Sequence, residues 1–381
     1  ALIAIYVGFL GNTPLHNFSH SLRLVVLLLL IPLFGLHAEK GKAAQLALYA
    51  AIGQAIAALH TVLEGAYPSV IPQFAHGKVS ESGQLCISLF LALGLYLAKK
   101  QDTKNSVETF FVFGTTLTLG LFGLSPLLQL SPSIQGILGI SALILLVFNS
   151  ARTFRAYSEG KNSYALSLLL SGIILPLLGA ALLINLKRGP WAGIAVAGAI
   201  LAWRYTPRTL LFAIPTSSVL ALTITPIRER ITTSFEHFFI HGGRSTIWEL
   251  GSELLLRYPL GIGLDNANRL NAYSSEIPAY LNHFHSNPIN IAVELGWLGL
   301  FAYLWWMGAI LEKGFRESDN SPEGKLLFAT TCGILAWQVA GLVEFNFGDS
   351  EVFLLAMVAM GIVSAKHPPN SDVTQNPAHL L

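Results

Sequence analysis

Apolar runs of 11–24 residues alternate with short polar segments along almost the whole chain. The runs are continuous, which indicates helices, whereas the strands of a membrane barrel would alternate apolar and polar residues. A membrane-spanning helix needs roughly 20 apolar residues. The pattern therefore predicts an all-α, polytopic membrane protein with about 12 transmembrane helices, forming one integral-membrane domain over residues 1–381. The predicted spans are 1–11, 20–36, 43–63, 80–98, 107–125, 134–150, 164–184, 191–203, 209–225, 288–311, 326–343 and 351–365.

Composition supports this class. Apolar residues make up 53% of the chain and charged residues only 12%, whereas a soluble domain carries roughly 25% charged residues. The first run is too short to cross a bilayer alone, so we expect the natural chain to continue upstream. Cys86 and Cys332 both lie inside apolar runs and lack metal-ligand spacing, so we interpret them as small packing residues.

The basic residues of the connections predict the orientation of the helices. One alternating set of connections holds 14 Lys and Arg residues, and the other short connections hold 4. Because cytoplasmic loops carry the excess of positive charge, the first set is predicted to be cytoplasmic. Both termini then lie inside, and the long segment 226–287 faces the periplasm of a bacterial inner membrane.

Segment 226–287, between the ninth and tenth spans, is predicted to be an ordered, partly helical periplasmic loop. It contains several aromatic and aliphatic residues and too few disorder-promoting residues to be a flexible tail. Residues 244–257 have a helical pattern that ends before Pro259 and is followed by a Gly-Ile-Gly turn. We therefore look for chemistry in this loop and at its junctions with the helices.

His285 lies at the start of the tenth span, two residues before Asn287-Pro288. Asn is a common helix cap and Pro suits the first helical position, so we expect Asn287 to cap this helix. The partial positive charge of a helix N-terminus attracts phosphate and disfavours an imidazolium. A neutral histidine could serve as a general base. The alternative is a polar interfacial histidine without a catalytic task.

Lys187 and Arg188 lie together in a short outer connection, against the positive-inside bias. A charge at membrane depth costs roughly 2.5–3.5 kcal/mol and is usually functional. Arg244 follows Gly242-Gly243 in the long loop. Because guanidinium groups match phosphate oxygens, Arg188 and Arg244 suggest a diphosphate site beside His285. Lipid-headgroup contacts for Arg188 and a solvated loop position for Arg244 are the alternatives.

We predict that His285, Arg244 and Arg188 are catalytic. The predicted substrate-binding residues are Arg188, Arg244, Lys187, His283 and Asn287.

Glu294 lies about two turns into the tenth span, with Asn290 one turn above it. We expect Glu294 to make an interhelical hydrogen bond, and Gly296 and Gly299 to permit close helix packing.

A metal site is the alternative for the loop histidines. His237 and His241 have the spacing of one helical turn, but no acidic residue lies between them in the HExxH manner. We predict no metal and no cofactor.

The motifs resemble the O-antigen ligase family. Its mark is His followed by Asn, Ser or Gln, then nine residues, then Gly-x-x-Gly; here it is His285-Ser286, residues 287–295, and Gly296-Trp-Leu-Gly299. Pro259-Leu-Gly-Ile-Gly263, Arg188-Gly189, and Arg244 with Trp248 are also similar to the family. The motifs extend from about residue 185 to residue 300, and the predicted topology over the whole chain is similar.

This resemblance implies a glycosyltransferase that moves O-antigen glycan from undecaprenyl diphosphate to the lipid A core during lipopolysaccharide synthesis. Its partners would be the lipid-linked donor, the lipid A-core acceptor and membrane lipid, with no nucleic acid. His285 would be the base of a metal-independent, inverting transfer, and Glu344 or Asp349 could orient it or bind sugar. An O-antigen polymerase with the same donor is the nearest alternative, and a 12-helix transporter is the alternative from another class.

Overall fold

A computed structural model describes residues 22, 24–71, 77–99, 106–233, 243–275, 277 and 281–366. This part of the chain contains helices and no strand, which confirms the all-α prediction. The helices are α1 Leu30–His37, α2 Ala43–Ala66, α3 Gly77–Lys99, α4 Ser106–Leu124, α5 Pro132–Ser158, α6 Asn162–Leu169, α7 Leu175–Asn185, α8 Arg188–Tyr205, α9 Pro207–Thr223, α10 Thr225–Thr232, α11 Arg244–Arg257, α12 Asn287–Glu317, α13 Pro322–Gly341 and α14 Ser350–Ser364. A kinked segment, Ala38–Lys42, in which Lys40 and Gly41 have non-helical backbone angles, joins α1 to α2, and a short π-helical segment, Leu170–Ile174, joins α6 to α7.

Every predicted span from the second onward overlaps a helix, and the first lies outside the described residues. Within the described ranges, four helical segments are long and apolar enough to cross a bilayer: Leu24–Ala66, Pro132–Ser158, Asn162–Asn185 and Asn287–Glu317. Helices α9 and α10 add a fifth if this pair, bent by 91°, counts as one span. The count of 12 spans and the periplasmic position of segment 226–287 stay predictions.

Helix α13 forms the centre of the bundle, between α3 and α8, and its Trp337 is fully buried. Small residues allow these helices to approach closely. A β-carbon added at Gly193 of α8 would lie 2.1 Å from the carbonyl oxygen of Ala336, and one at Gly94 of α3 would lie 2.9 Å from Cβ of Ala329. This packing places the N-terminus of α8 beside the C-terminus of α13.

The outer helices expose apolar side chains, as lipid-facing helices do. Ile137 on α5, Leu211 on α9 and Phe301 on α12 are each more than half exposed. The exposed apolar side chains of this protein are not scattered singly over its surface but run along whole helices. Together with the candidate spans, they identify a multi-pass membrane protein.

Helix α12 is interrupted at Gly296, whose backbone has φ 69° and ψ −173°. Segment 259–263 lies across this break and pairs with its backbone. The N–H of Trp297 donates to the carbonyl of Pro259, and the N–H of Gly263 donates to the carbonyl of Glu294, each at 3.0 Å. A β-carbon at Gly261 would lie 2.3 Å from the Glu294 carbonyl oxygen, so the close approach requires glycine.

The break corrects two expectations. Gly296 provides a helix interruption and not a helix-packing surface: a β-carbon there would lie 2.3 Å from the carbonyl oxygen of Pro259. The Glu294 carboxylate makes a loop contact, since it accepts the backbone N–H of Ala267 at 3.2 Å. The interhelical hydrogen bond predicted for Glu294 was therefore wrong.

Candidate functional site

Phe284 anchors the segment that carries the two site histidines. Its side chain is fully buried in a small hydrophobic cluster that also contains Ile247 and Leu250 of α11. Its N–H donates to Oδ1 of Asn290 at 3.3 Å, and its carbonyl accepts Nε1–H of Trp248 at 2.9 Å. Helix α11 begins at Arg244 and ends at Arg257 as predicted, and through Trp248 it fixes the backbone between the histidines.

His283 and His285 project from either side of this anchor and contact each other edge to face, with ring centroids 4.2 Å apart. The backbone N–H of His285 donates to Nδ1 of His283 at 3.2 Å. His285 has a left-handed backbone, with φ 50°. Left-handed geometry in a non-glycine residue is held only by its surroundings and is frequent at functional sites.

Both imidazoles favour the neutral form. Burial lowers the pKa of His285 to about 3, helped by His283 and by the positive charges of Arg244 and Lys187. Burial likewise lowers the pKa of His283 to about 4, with Arg244 and Lys187 again contributing. An unprotonated His285 is what general-base chemistry requires.

Three arginines lie close to one another, and one of them, Arg244, acts on both histidines. Burial lowers the pKa of Arg188, and so do the charges of Arg230 and Arg244, which lie close enough to repel it. Nη2 of Arg188 donates to Oγ1 of Thr233 at 3.2 Å, and its buried Nε has no hydrogen-bond partner among the described residues. Nε of Arg230 donates to the carbonyl of Leu186 at 3.0 Å. The structure thus brings Arg188 and Arg244 together, with Lys187 and Arg244 also acting on the histidines.

Arg230 was missed by the sequence analysis. It lies in α10, a short helix after the 91° bend, where its neighbours Arg228 and Glu229 give the pattern of an ordinary solvated turn. The 2-residue spacing of Arg228 and Arg230 could have been noticed, but only the fold shows that α10 folds back on the connection before α8.

Asn287 is fully buried and joins α12 to the connection after α13. Its Nδ2 donates to Oδ1 of Asn346 at 2.8 Å, and its Oδ1 accepts the N–H groups of Asn346 and Phe347 at 2.9 and 3.1 Å. Nε1–H of Trp337 also donates to Asn346 at 2.8 Å. The expectation that Asn287 caps α12 was wrong, because Ser286 occupies the cap position and makes no side-chain cap bond.

The Asn287–Asn346 contact places Glu344 and Phe345 at the site. The charge of Glu344 acts on Arg244. A β-carbon at Gly189 would lie 2.9 Å from Cδ of Glu344, so this carboxylate lies against the start of α8. The Phe345 ring lies 5.5 Å from that of His283.

No group of three or more metal-binding side chains occurs among the residues that the structure describes. His237 and His241 lie outside them. The predicted independence from metal therefore stays a prediction.

The fold and the site define a class: a multi-pass membrane protein with a half-buried cationic cluster and two neutral histidines where several helices end. Residues 172–304 match the model of a family described as O-antigen ligase. The matched segment includes Arg188, Arg244 and His285, and it confirms the family resemblance found from the motifs. A comparison with curated proteins finds no match.

Proposed function

We propose that this protein is an O-antigen ligase: it transfers glycan from undecaprenyl diphosphate to lipid A-core oligosaccharide. The observation that carries the proposal is the neutral His285 beside a cluster of arginines, in a segment with the O-antigen ligase family match. The family implies a membrane glycosyltransferase with a lipid-linked donor and a lipid acceptor, and it disfavours the transporter alternative.

His285 acts as the general base. It takes the proton from the acceptor hydroxyl as the hydroxyl oxygen attacks the anomeric carbon of the donor sugar. The bond from that carbon to the diphosphate oxygen breaks, and undecaprenyl diphosphate leaves with the electron pair. Direct displacement of this kind inverts the anomeric centre. Burial lowers the pKa of His285 and leaves the ring unprotonated at neutral pH. The negative charge of the bound diphosphate favours the protonated ring and so raises its basicity during transfer.

Arg188, Arg230 and Arg244 bind the diphosphate. Burial lowers the pKa values of Arg188 and Arg244, and the like charge of Arg230 lowers both further. An anionic ligand removes this repulsion and gains charge-assisted hydrogen bonds, which are strong and directional for guanidinium groups. The same charges stabilise the leaving group as negative charge develops on it. No metal is needed for these steps.

Asn287 is a positioning residue in this proposal. It holds the connection that carries Glu344 against the start of α12. Glu344 in turn lies between Gly189 and Arg244, where it orients the arginine or an acceptor sugar.

The direct test is transfer by purified protein. Undecaprenyl-diphosphate glycan and lipid A-core are supplied without divalent cations, and the joined product is sought by mass spectrometry. A longer lipid-linked glycan without attachment to the core would instead identify the polymerase alternative. If neither product forms although both substrates bind, the proposed activity is refuted.

Variants separate the two tasks. A general base accelerates a reaction about 10²–10⁴-fold. His285→Ala should therefore lower kcat by a factor in that range and leave donor binding nearly intact. Arg188→Ala and Arg244→Ala should each weaken donor binding by roughly 1.5–3 kcal/mol, because a charge-assisted contact is lost. Arg204→Ala, on the opposite end of α8, is the control for loss of an arginine. Equal loss of donor affinity in His285→Ala would make His285 a phosphate ligand.

The site is proposed to face the periplasm from the bacterial inner membrane. A single cysteine introduced at Ser274 should react with an impermeant label in intact spheroplasts, whereas one at Ser158 should not. Cys86 and Cys332 are buried and give a low background. The reverse labelling pattern would overturn the orientation.

A further inference from the structure

His283 is tied to His285 through the backbone and through the ring. The N–H of His285 donates to Nδ1 of His283 at 3.2 Å, and the two rings meet edge to face at 4.2 Å. On its other side, His283 contacts the ring of Phe345, whose connection is held by Asn287. His283 therefore lies between the proposed base and a fixed part of the bundle.

The backbone of His285 needs such support. A left-handed conformation is unfavourable for a non-glycine residue, and His285 has φ 50°. The preceding peptide is fixed, because both the N–H and the carbonyl of Phe284 are hydrogen-bonded. The His285 N–H belongs to the same peptide unit as the Phe284 carbonyl, and its bond to His283 holds that unit from the other side, directly before the left-handed residue.

We propose that His283 is a positioning residue: its neutral ring, with the proton on Nε2, accepts the His285 N–H through Nδ1 and holds the left-handed backbone that orients the base. The inference rests on the proposed function, because the group being positioned is the proposed base. It gives His283 a task different from the substrate binding predicted from sequence.

A proton on Nδ1 of His283 would remove the acceptor and place a positive charge against His285. Burial opposes this protonation, and so do the charges of Arg244 from α11 and Lys187 from the connection before α8. The ring of His285, from the same segment, contacts His283 edge to face, and Glu344, in the connection that carries Phe345, acts on Arg244. Burial and the nearby cations thus keep both histidines neutral, and acid should disable the base in two protonation steps.

Two amide variants test the geometry. The amide of Asn places an oxygen near the position of Nδ1 and cannot be protonated at this pH, whereas the longer Gln places its amide near Nε2. His283→Asn should keep kcat within about threefold of wild type, since the hydrogen bond persists. His283→Gln should lower kcat roughly 10- to 100-fold with little change in donor KM, because the base is misplaced.

The acid limb gives a second readout. In wild type, the plot of log kcat against pH should fall more steeply than the protonation of one group allows. In His283→Asn, it should fall with the slope expected for the protonation of one group. If both amide variants instead raise donor KM equally and leave kcat alone, His283 is a substrate ligand and the proposal is overturned.

A measurement without substrate separates this inference from the proposed function. In ¹⁵N-histidine-labelled protein, the signals lost in His283→Asn should show an unprotonated Nδ1 and a protonated Nε2 at pH 7. A proton on Nδ1, or a charged ring, would overturn the inference even in an active enzyme. If transfer is absent in wild type but the Nε2–H form is found, the proposed activity fails and the contact of His283 with His285 stands.

Discussion

Replacing Gly296 by alanine tests whether the break in α12 is held by segment 259–263. Two costs add. The backbone at φ 69° and ψ −173° is nearly restricted to glycine and costs another residue about 1–3 kcal/mol. The new β-carbon would lie 2.3 Å from the carbonyl oxygen of Pro259 and 2.5 Å from the carbonyl carbon of Leu260. Both are backbone atoms, so the segment must move.

Movement of the segment removes three backbone hydrogen bonds, donated by Ile262, Gly263 and Trp297, each at 3.0 Å. At about 1 kcal/mol for each bond, with the backbone strain added, Gly296→Ala should destabilise this region by about 4–6 kcal/mol. Transfer activity should fall with it, because the same region carries His285.

Gly308→Ala is the matched control, since Gly308 lies in the same helix and a β-carbon there meets nothing within 4 Å. This change should be neutral or stabilising by up to about 1 kcal/mol. Hydrogen exchange at the amides of Gly263 and Trp297 measures local stability, and denaturant titration in micelles measures global stability. Equal exchange protection in the two variants would show that segment 259–263 does not hold the break.

Three further predictions follow from the site. Asn287→Ala should destabilise the protein by about 2–4 kcal/mol, because the buried N–H groups of Asn346 and Phe347 lose their acceptor; thermal unfolding in micelles checks this, and wild-type stability would contradict it. On the acid side, kcat/KM should begin to fall only well below pH 6.5, because the lowered pKa values of His283 and His285 keep both rings neutral until about pH 4. The fall of kcat should begin at a higher pH than that of kcat/KM, since bound diphosphate favours the protonated base. If kcat and kcat/KM both fall together near pH 6.5, this assignment is refuted. Activity should survive EDTA, and loss that zinc or magnesium restores would make the loop histidines candidate ligands.

Much of the fold was predictable from the chain. Continuous apolar runs predicted the helices with boundaries within a few residues, as for 43–63 against Ala43–Ala66 and 326–343 against Pro322–Gly341. The break in α12 was not predictable, because a glycine in an apolar run has the same appearance in a packed helix and in an interrupted one. Only the approach of segment 259–263, more than 30 residues earlier, distinguishes the two.

The sequence marks candidate site residues where residue chemistry conflicts with position. Lys187 and Arg188 stand out because cations are rare in connections predicted to be outer, and His285 stands out at a helix start; their roles stay predictions. Arg230 and Asn346 carry no such conflict, since arginine and asparagine are ordinary in polar connections. Their tasks depend on the return of α10 to Leu186 and on the pairing of α13 with α12.

The break at Gly296 also separates two packing environments. Residues 297–317 continue as a helix that exposes apolar side chains such as Phe301 and Trp305. Residues 287–295 are hydrogen-bonded to the loop and to the connection after α13. The part of α12 next to His285 is therefore held by protein contacts, whereas the part that exposes apolar side chains begins only after the interruption.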